Sequence, residues 1–97
     1  MSVFCYVIYK ITFPNGKIYI GKDVGRKGHS LRYFGSWDND LVAQDFTKLE
    51  LSNFTLQKNI LIESSDKDEI SKKEIELIRA HQSNNPVTGY NKFPLFR

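Results

Sequence analysis

Residues 4–22, FCYVIYKITFPNGKIYIGK, carry the reading on which the fold turns. Two runs rich in β-branched and aromatic residues, Phe4 to Phe13 and Lys17 to Lys22, flank Pro14-Asn15-Gly16, which is the pattern of a β-hairpin. Two turns compete for its tip. A two-residue Asn-Gly turn would pair Pro14 with Lys17, but Pro14 has no N–H to give to that pair. A three-residue loop, with Pro14 and Asn15 in a type I turn and Gly16 left-handed, uses each residue where its backbone preference lies. The choice matters because one residue of register moves every side chain to the other face. With Phe13 opposite Lys17, Ile11 faces Tyr19 and Tyr9 faces Gly21, so Tyr9, Tyr19 and Lys17 share one side of the hairpin.

Outward from the hairpin, the polar stretch DVGRKGHS (23–30) reads as a loop and the segment from about Asp38 to Leu51 as a helix with Val42, Phe46 and Leu49 on one side. Phe54 to Glu63 reads as a third strand. Ser65 begins S-x-x-D, which predicts an N-cap with Asp68 as its partner acid and an amphipathic helix running to about His81. SNNPVTGYNK (83–92) is turn chemistry. Strands and helices mixed, and joined first by a tight turn, predict an α+β fold: a small, three-stranded, mainly antiparallel sheet flanked by helices. No repeat or linker interrupts the chain, so residues 1–97 are read as a single domain, and any second domain would lie outside them.

The 97 residues are 40% hydrophobic and 26% charged, the balance of a soluble globular domain. The lone cysteine, Cys5, cannot close an internal disulfide, and no Cys/His spacing suits zinc, which indicates an intracellular, cytoplasmic chain. The apolar run from Val3 to Phe13 has no basic region before it and no cleavage site after it, and nothing is long enough to span a membrane. The net charge of +3 is unevenly placed. Residues 1–35 hold six Lys and Arg against one acid, a balance of +5, whereas the remainder stands at −2. A basic N-terminal third fits a phosphate-binding surface, and equally a solvated basic face. On the second helix, Ile70, Leu77, Ile78 and His81 fall on one side with Glu74 at its centre, while Glu76 falls opposite. A carboxylate in an apolar stripe needs a partner, either a bound cation or a basic residue of the sheet.

The triplets Val7-Ile8-Tyr9 and Tyr19-Ile20-Gly21, about ten residues apart on the hairpin, resemble the paired motif of the GIY-YIG nucleases. The resemblance extends through the basic segment that follows, Glu74 on a late helix and Gly89-Tyr90-Asn91, and so covers about residues 5–92. The first Gly of the motif is Val7 here. Leu31-Arg32-Tyr33-Phe34-Gly35-Ser36 is similar to the form in phage and homing-type relatives, which implies Arg32 as the catalytic arginine, with Arg26 the second candidate. His29 or Tyr33 would take the place of a histidine often found near that arginine.

By resemblance, the chain would be a metal-dependent DNA endonuclease. Tyr9 would orient or deprotonate the attacking water, supported by Tyr19 and Lys17. Arg32 would grip the phosphate in a two-pronged fork, and Glu74 would hold one divalent ion, Mg²⁺ being the ion that suits a single carboxylate plus waters. Lys22, Arg26, Lys27 and Asn91 are candidates for DNA contact, Asn91 being equally an ordinary turn residue. The rival functions are a DNA-binding module without catalysis and a protein-interaction domain using Phe93, Leu95 and Phe96.

Overall fold

The computed structural model describes residues 6–23 and 37–96. The strands β1 (Tyr6–Thr12), β2 (Ile18–Asp23) and β3 (Gln57–Ser64) form one antiparallel sheet in the order β2-β1-β3, and the helices are α1 (Asn39–Asp45), α2 (Lys48–Ser52) and α3 (Lys67–His81). The fold is therefore α+β, as the sequence predicts. None of the described helices is long and apolar enough to cross a membrane.

The hairpin takes the three-residue loop. Phe13 N–H donates to Lys17 O at 2.9 Å, Gly16 N–H donates to Phe13 O at 2.9 Å, and Gly16 has φ +87°. Asn15 Oδ1 accepts from Lys17 N–H at 3.0 Å, which closes the turn around its own side chain. Ile11 pairs with Tyr19 and Tyr9 with Gly21, the register that the proline dictates.

Alternation along the strands gives the sheet two unlike faces. Val7, Tyr9, Ile11, Phe13 and Tyr19 pack with Val42, Phe46 and Tyr90 on one side; Ile8 and Ile20 pack with Ile70 and Ile78 of α3 on the other. The first face is aromatic, with Phe13 edge-on to Tyr90, Trp37 and Phe54 at 4.6, 5.2 and 5.8 Å.

Three expectations are corrected. The helix read from Asp38 to Leu51 breaks at Phe46–Thr47, because Thr47 and Glu50 form a capping box that starts α2 afresh. Leu49 is consequently turned outward, 75% exposed, while Phe46 stays in the core against Phe54. The N-cap of α3 is Asp66 rather than Ser65: its carboxylate accepts from the N–H groups of both Asp68 and Glu69, and its charge favours the helix start. The third strand begins at Gln57, and Phe54 packs against the aromatic core instead of pairing.

The segment after α3 turns back along the outer edge of β2. Ile18 N–H donates to Thr88 O at 3.2 Å and Tyr90 N–H donates to Ile18 O at 2.9 Å. The approach is so close that a Cβ on Gly89 would collide with the carbonyls of Ile18 and Ser83, so glycine is required there.

Candidate active site

The hairpin register brings Tyr9 and Tyr19 together, their ring centroids 6.3 Å apart on the aromatic face. Gly21 makes this possible. A Cβ at that position would lie 2.5 Å from the Tyr9 hydroxyl and 2.8 Å from the Tyr19 ring. The Tyr9 hydroxyl thus lies directly over the backbone of Gly21. Both phenols are buried, Tyr9 completely.

Three charged residues that the sequence reading did not assign to the site belong to this face. Lys58 Nζ stands 4.6 Å over the Tyr9 ring, a cation–π contact, and burial pushes its ammonium below the usual lysine range against the opposing charge of Asp23. Asp23 and Glu63 both lie opposite Val7, one on each neighbouring strand. Asp23 was accessible from alternation, being two residues beyond Gly21. Lys58 and Glu63 were not, because their shared face depends on an irregularity in the β1–β3 register between Ile8 and Tyr9.

Glu74 reaches the site from the other side. Helix α3 packs on the aliphatic face, on the side of the sheet opposite Tyr9 and Tyr19. Burial pushes the Glu74 carboxyl up, opposed by the Lys22 charge and by hydrogen bonding from the Lys22 backbone. Lys22 Nζ donates to Ser71 Oγ at 2.9 Å, one turn before Glu74 on the same helix. The lysine on the sheet is therefore the charged neighbour that a carboxylate in an apolar stripe demands. Of the remaining stripe, Ile70 and Ile78 are buried and Leu77 packs against them, whereas His81 is exposed. Glu76 faces solvent beside Lys73, at 3.4 Å.

The two sides converge at one peptide bond. The Tyr9 hydroxyl sits over Gly21 on the aromatic face, and Glu74 lies against Lys22, the next residue, on the aliphatic face. Strand β2 is at the edge of the sheet, and Gly21 and Lys22 are consecutive residues in it.

Lys17 and Asn91 are placed differently. The Lys17 ammonium pairs with Asp45 Oδ2 at 2.5 Å and donates to Pro86 O at 2.9 Å. The same Asp45 oxygen accepts from the Tyr90 hydroxyl at 2.7 Å, and Asn15 Nδ2 donates to that hydroxyl at 2.9 Å. Hydrogen bonds from Lys17 and Tyr90 hold the Asp45 carboxyl below its usual range, while burial and Asp45 push Tyr90 up to about 12. Lys17 thus ties the hairpin tip to α1 and the C-terminal turns. The Asn91 amide spans the Ile20 backbone, accepting from its N–H at 2.9 Å and donating to its carbonyl at 2.7 Å. It acts as one more rung on the edge of β2. Arg26, Lys27 and Arg32, with His29 and Tyr33, lie outside the described residues.

Among the described residues no three His, Cys, Asp or Glu side chains gather as a metal site. Glu74 with Ser71 beside it offers one carboxylate and one hydroxyl, a donor set that fits an ion keeping most of its waters, as Mg²⁺ does. Compared with protein-family models, with curated proteins and with solved structures, the chain matches none.

Proposed function

We propose that the chain is a metal-dependent DNA endonuclease of the GIY-YIG type, with its centre at the Gly21–Lys22 end of β2. The observation that carries this reading is the convergence of the Tyr9 hydroxyl and Glu74 on that peptide from opposite faces. Residues 65 positions apart in the chain come to the end of the Tyr19-Ile20-Gly21 triplet.

Hydrolysis joins a water oxygen to phosphorus and releases the 3′ oxygen, so the site must move one proton from the water and neutralise charge on the phosphate. A bound Mg²⁺ would supply Lewis-acid stabilisation of the phosphate and of the leaving oxygen. Glu74 and Ser71 would hold it. Lys22, already ordered by Ser71, faces the same place and offsets phosphate charge, and Arg32 supplies the two-pronged grip. Tyr9, beneath Lys58, would orient the attacking water. Tyr19 packs beside it and keeps its ring in place. Lys17 and Asn91 support the centre by fixing the hairpin tip and the edge of β2.

Supercoiled plasmid incubated with the chain is nicked or linearised with Mg²⁺ and remains intact with EDTA. Arg32→Ala abolishes cleavage in a folded protein, whereas Arg26→Ala weakens binding by about one phosphate contact in the salt slope. Intact plasmid in Mg²⁺, together with salt-dependent DNA binding, would leave a binding module without catalysis. A protein-interaction domain is favoured by one observation, the exposure of Phe93, Leu95 and Phe96 beside α3, and predicts neither cleavage nor salt-dependent binding.

A further inference from the structure

The two edges of the sheet are treated differently. The edge of β2 is covered by Thr88, Tyr90 and the Asn91 amide, whereas no strand among the described residues pairs with the outer edge of β3. Strand β3 is eight residues long, and its centre is apolar and open to solvent, with Ile60 42% and Leu61 36% exposed. A strand edge of this kind is a template for another strand.

We propose that the β3 edge docks a second copy of this chain, β3 against β3 in antiparallel sense, about a two-fold axis between Ile60 and Leu61. The argument rests on self-complementarity that only the irregular register creates. Ile8 pairs with Ile62 and Tyr9 with Ile60, so Leu61 is an extra residue on β3. In a regular strand, residues five apart point to opposite faces. Here the extra residue reverses the alternation. Lys58, opposite Ile11, and Glu63, opposite Val7, lie on the aromatic face; Asn59, opposite Lys10, and Ile62, opposite Ile8, lie on the other.

Residues directly opposite in an antiparallel pair share a face. A two-fold between Ile60 and Leu61 therefore sets Lys58 of one copy opposite Glu63 of the other, twice, and Gln57 opposite Ser64 at the ends. Ile60 and Leu61 of both copies meet at the axis. Registers centred on Lys58 or on Glu63 would set like charges against each other, which is unfavourable. A bulge and a lysine also blunt an edge against arbitrary strands, so the same features admit this register and discourage others. One strand pair buries less than the ~1,200–2,000 Å² of a standard interface, so the dimer is weak and concentration-dependent.

Sedimentation velocity from about 10 μM to about 1 mM, the range in which such an interface saturates, tests this directly. The parent chain shifts from monomer to dimer, less so as salt rises. Glu63→Lys, which turns both ion pairs into lysine pairs at an exposed position, and Leu61→Lys, which charges the axis, each leave a folded monomer by circular dichroism and sedimentation. Glu76→Lys, the same charge change on the outer side of α3, leaves dimerisation intact. A parent chain that is monomeric throughout the range, a dimer that survives both β3 substitutions, or equal loss of the dimer in Glu76→Lys would overturn the proposal.

Discussion

The two faces of the sheet solve the same packing problem with different materials. On one, α3 closes Ile8 and Ile20 with Ile70 and Ile78, and Lys22, Ser71 and Glu74 form a polar corner. On the other, phenyl and phenol rings pack edge to face, the Tyr90 hydroxyl is held by Asp45 and Asn15, and Lys58 stands over the Tyr9 ring. The aliphatic face carries a half-buried charge beside the Lys22 ammonium. The aromatic face holds its three phenols, Tyr9, Tyr19 and Tyr90, in fixed positions because rings leave few alternative arrangements. A site drawing on both, at an edge strand with a glycine, obtains a carboxylate from one and an oriented hydroxyl from the other.

That contrast can be broken most sharply by comparing two acids on α3. Glu74→Gln lowers Mg²⁺-dependent cleavage to background and preserves most DNA affinity, whereas Glu76→Gln leaves turnover unchanged; a plasmid assay with parallel binding measurements reads both. Retained turnover in Glu74→Gln would reduce the aliphatic corner to a structural pair. Next in size, Gly21→Ala forces a methyl into the space above which the Tyr9 hydroxyl sits. Overpacking of this kind costs about 1–3 kcal/mol, with a fall in Tm of about 4–8 °C per kcal/mol, and should disturb both tyrosines in aromatic NMR spectra while α3 is little affected. Asn91→Ala uncovers the Ile20 backbone groups and costs about 1–3 kcal/mol by denaturant titration.

The smallest effects distinguish the faces by sign. Asp45 is held low, so its contribution is present above the ordinary carboxylate range and disappears as pH falls through its folded value. Asp45→Asn therefore lowers Tm at neutral pH and has little effect in strong acid, an effect of about 0–1 kcal/mol for a largely solvated pair. Glu74 is pushed up, so as pH rises the unfolded chain ionises first and the metal-free fold loses stability above the ordinary carboxylate range. Glu74→Gln removes that loss. It raises Tm at neutral pH without metal, and the gain vanishes below the ordinary glutamate range. Melting curves for both variants at acid and neutral pH would show opposite signs, and equal signs would mean that the two carboxylates do not differ in the way described.

Where local chemistry decides, the sequence was sufficient. Pro14 has no donor, Gly16 tolerates positive φ, and from these the loop length, the register and the pairing of Tyr9 with Gly21 follow. The capping box at Thr47 and Glu50 was equally legible as T-x-x-E, but the periodicity of Val42, Phe46 and Leu49 reads straight through it; Asp66 as N-cap likewise lay one residue from the position read. What no local pattern contains is which face of the sheet α3 covers, where β3 gains its extra residue, and which backbone the Asn91 amide meets. Those depend on contacts between segments tens of residues apart. Helical spacing shows that Glu74 belongs on a buried stripe, but not which surface buries it, because an amphipathic stripe packs on either side of a sheet whose two faces are both apolar. Tertiary structure alone makes that choice, and with it sets Glu74 across the edge strand from Tyr9 at the Gly21–Lys22 peptide.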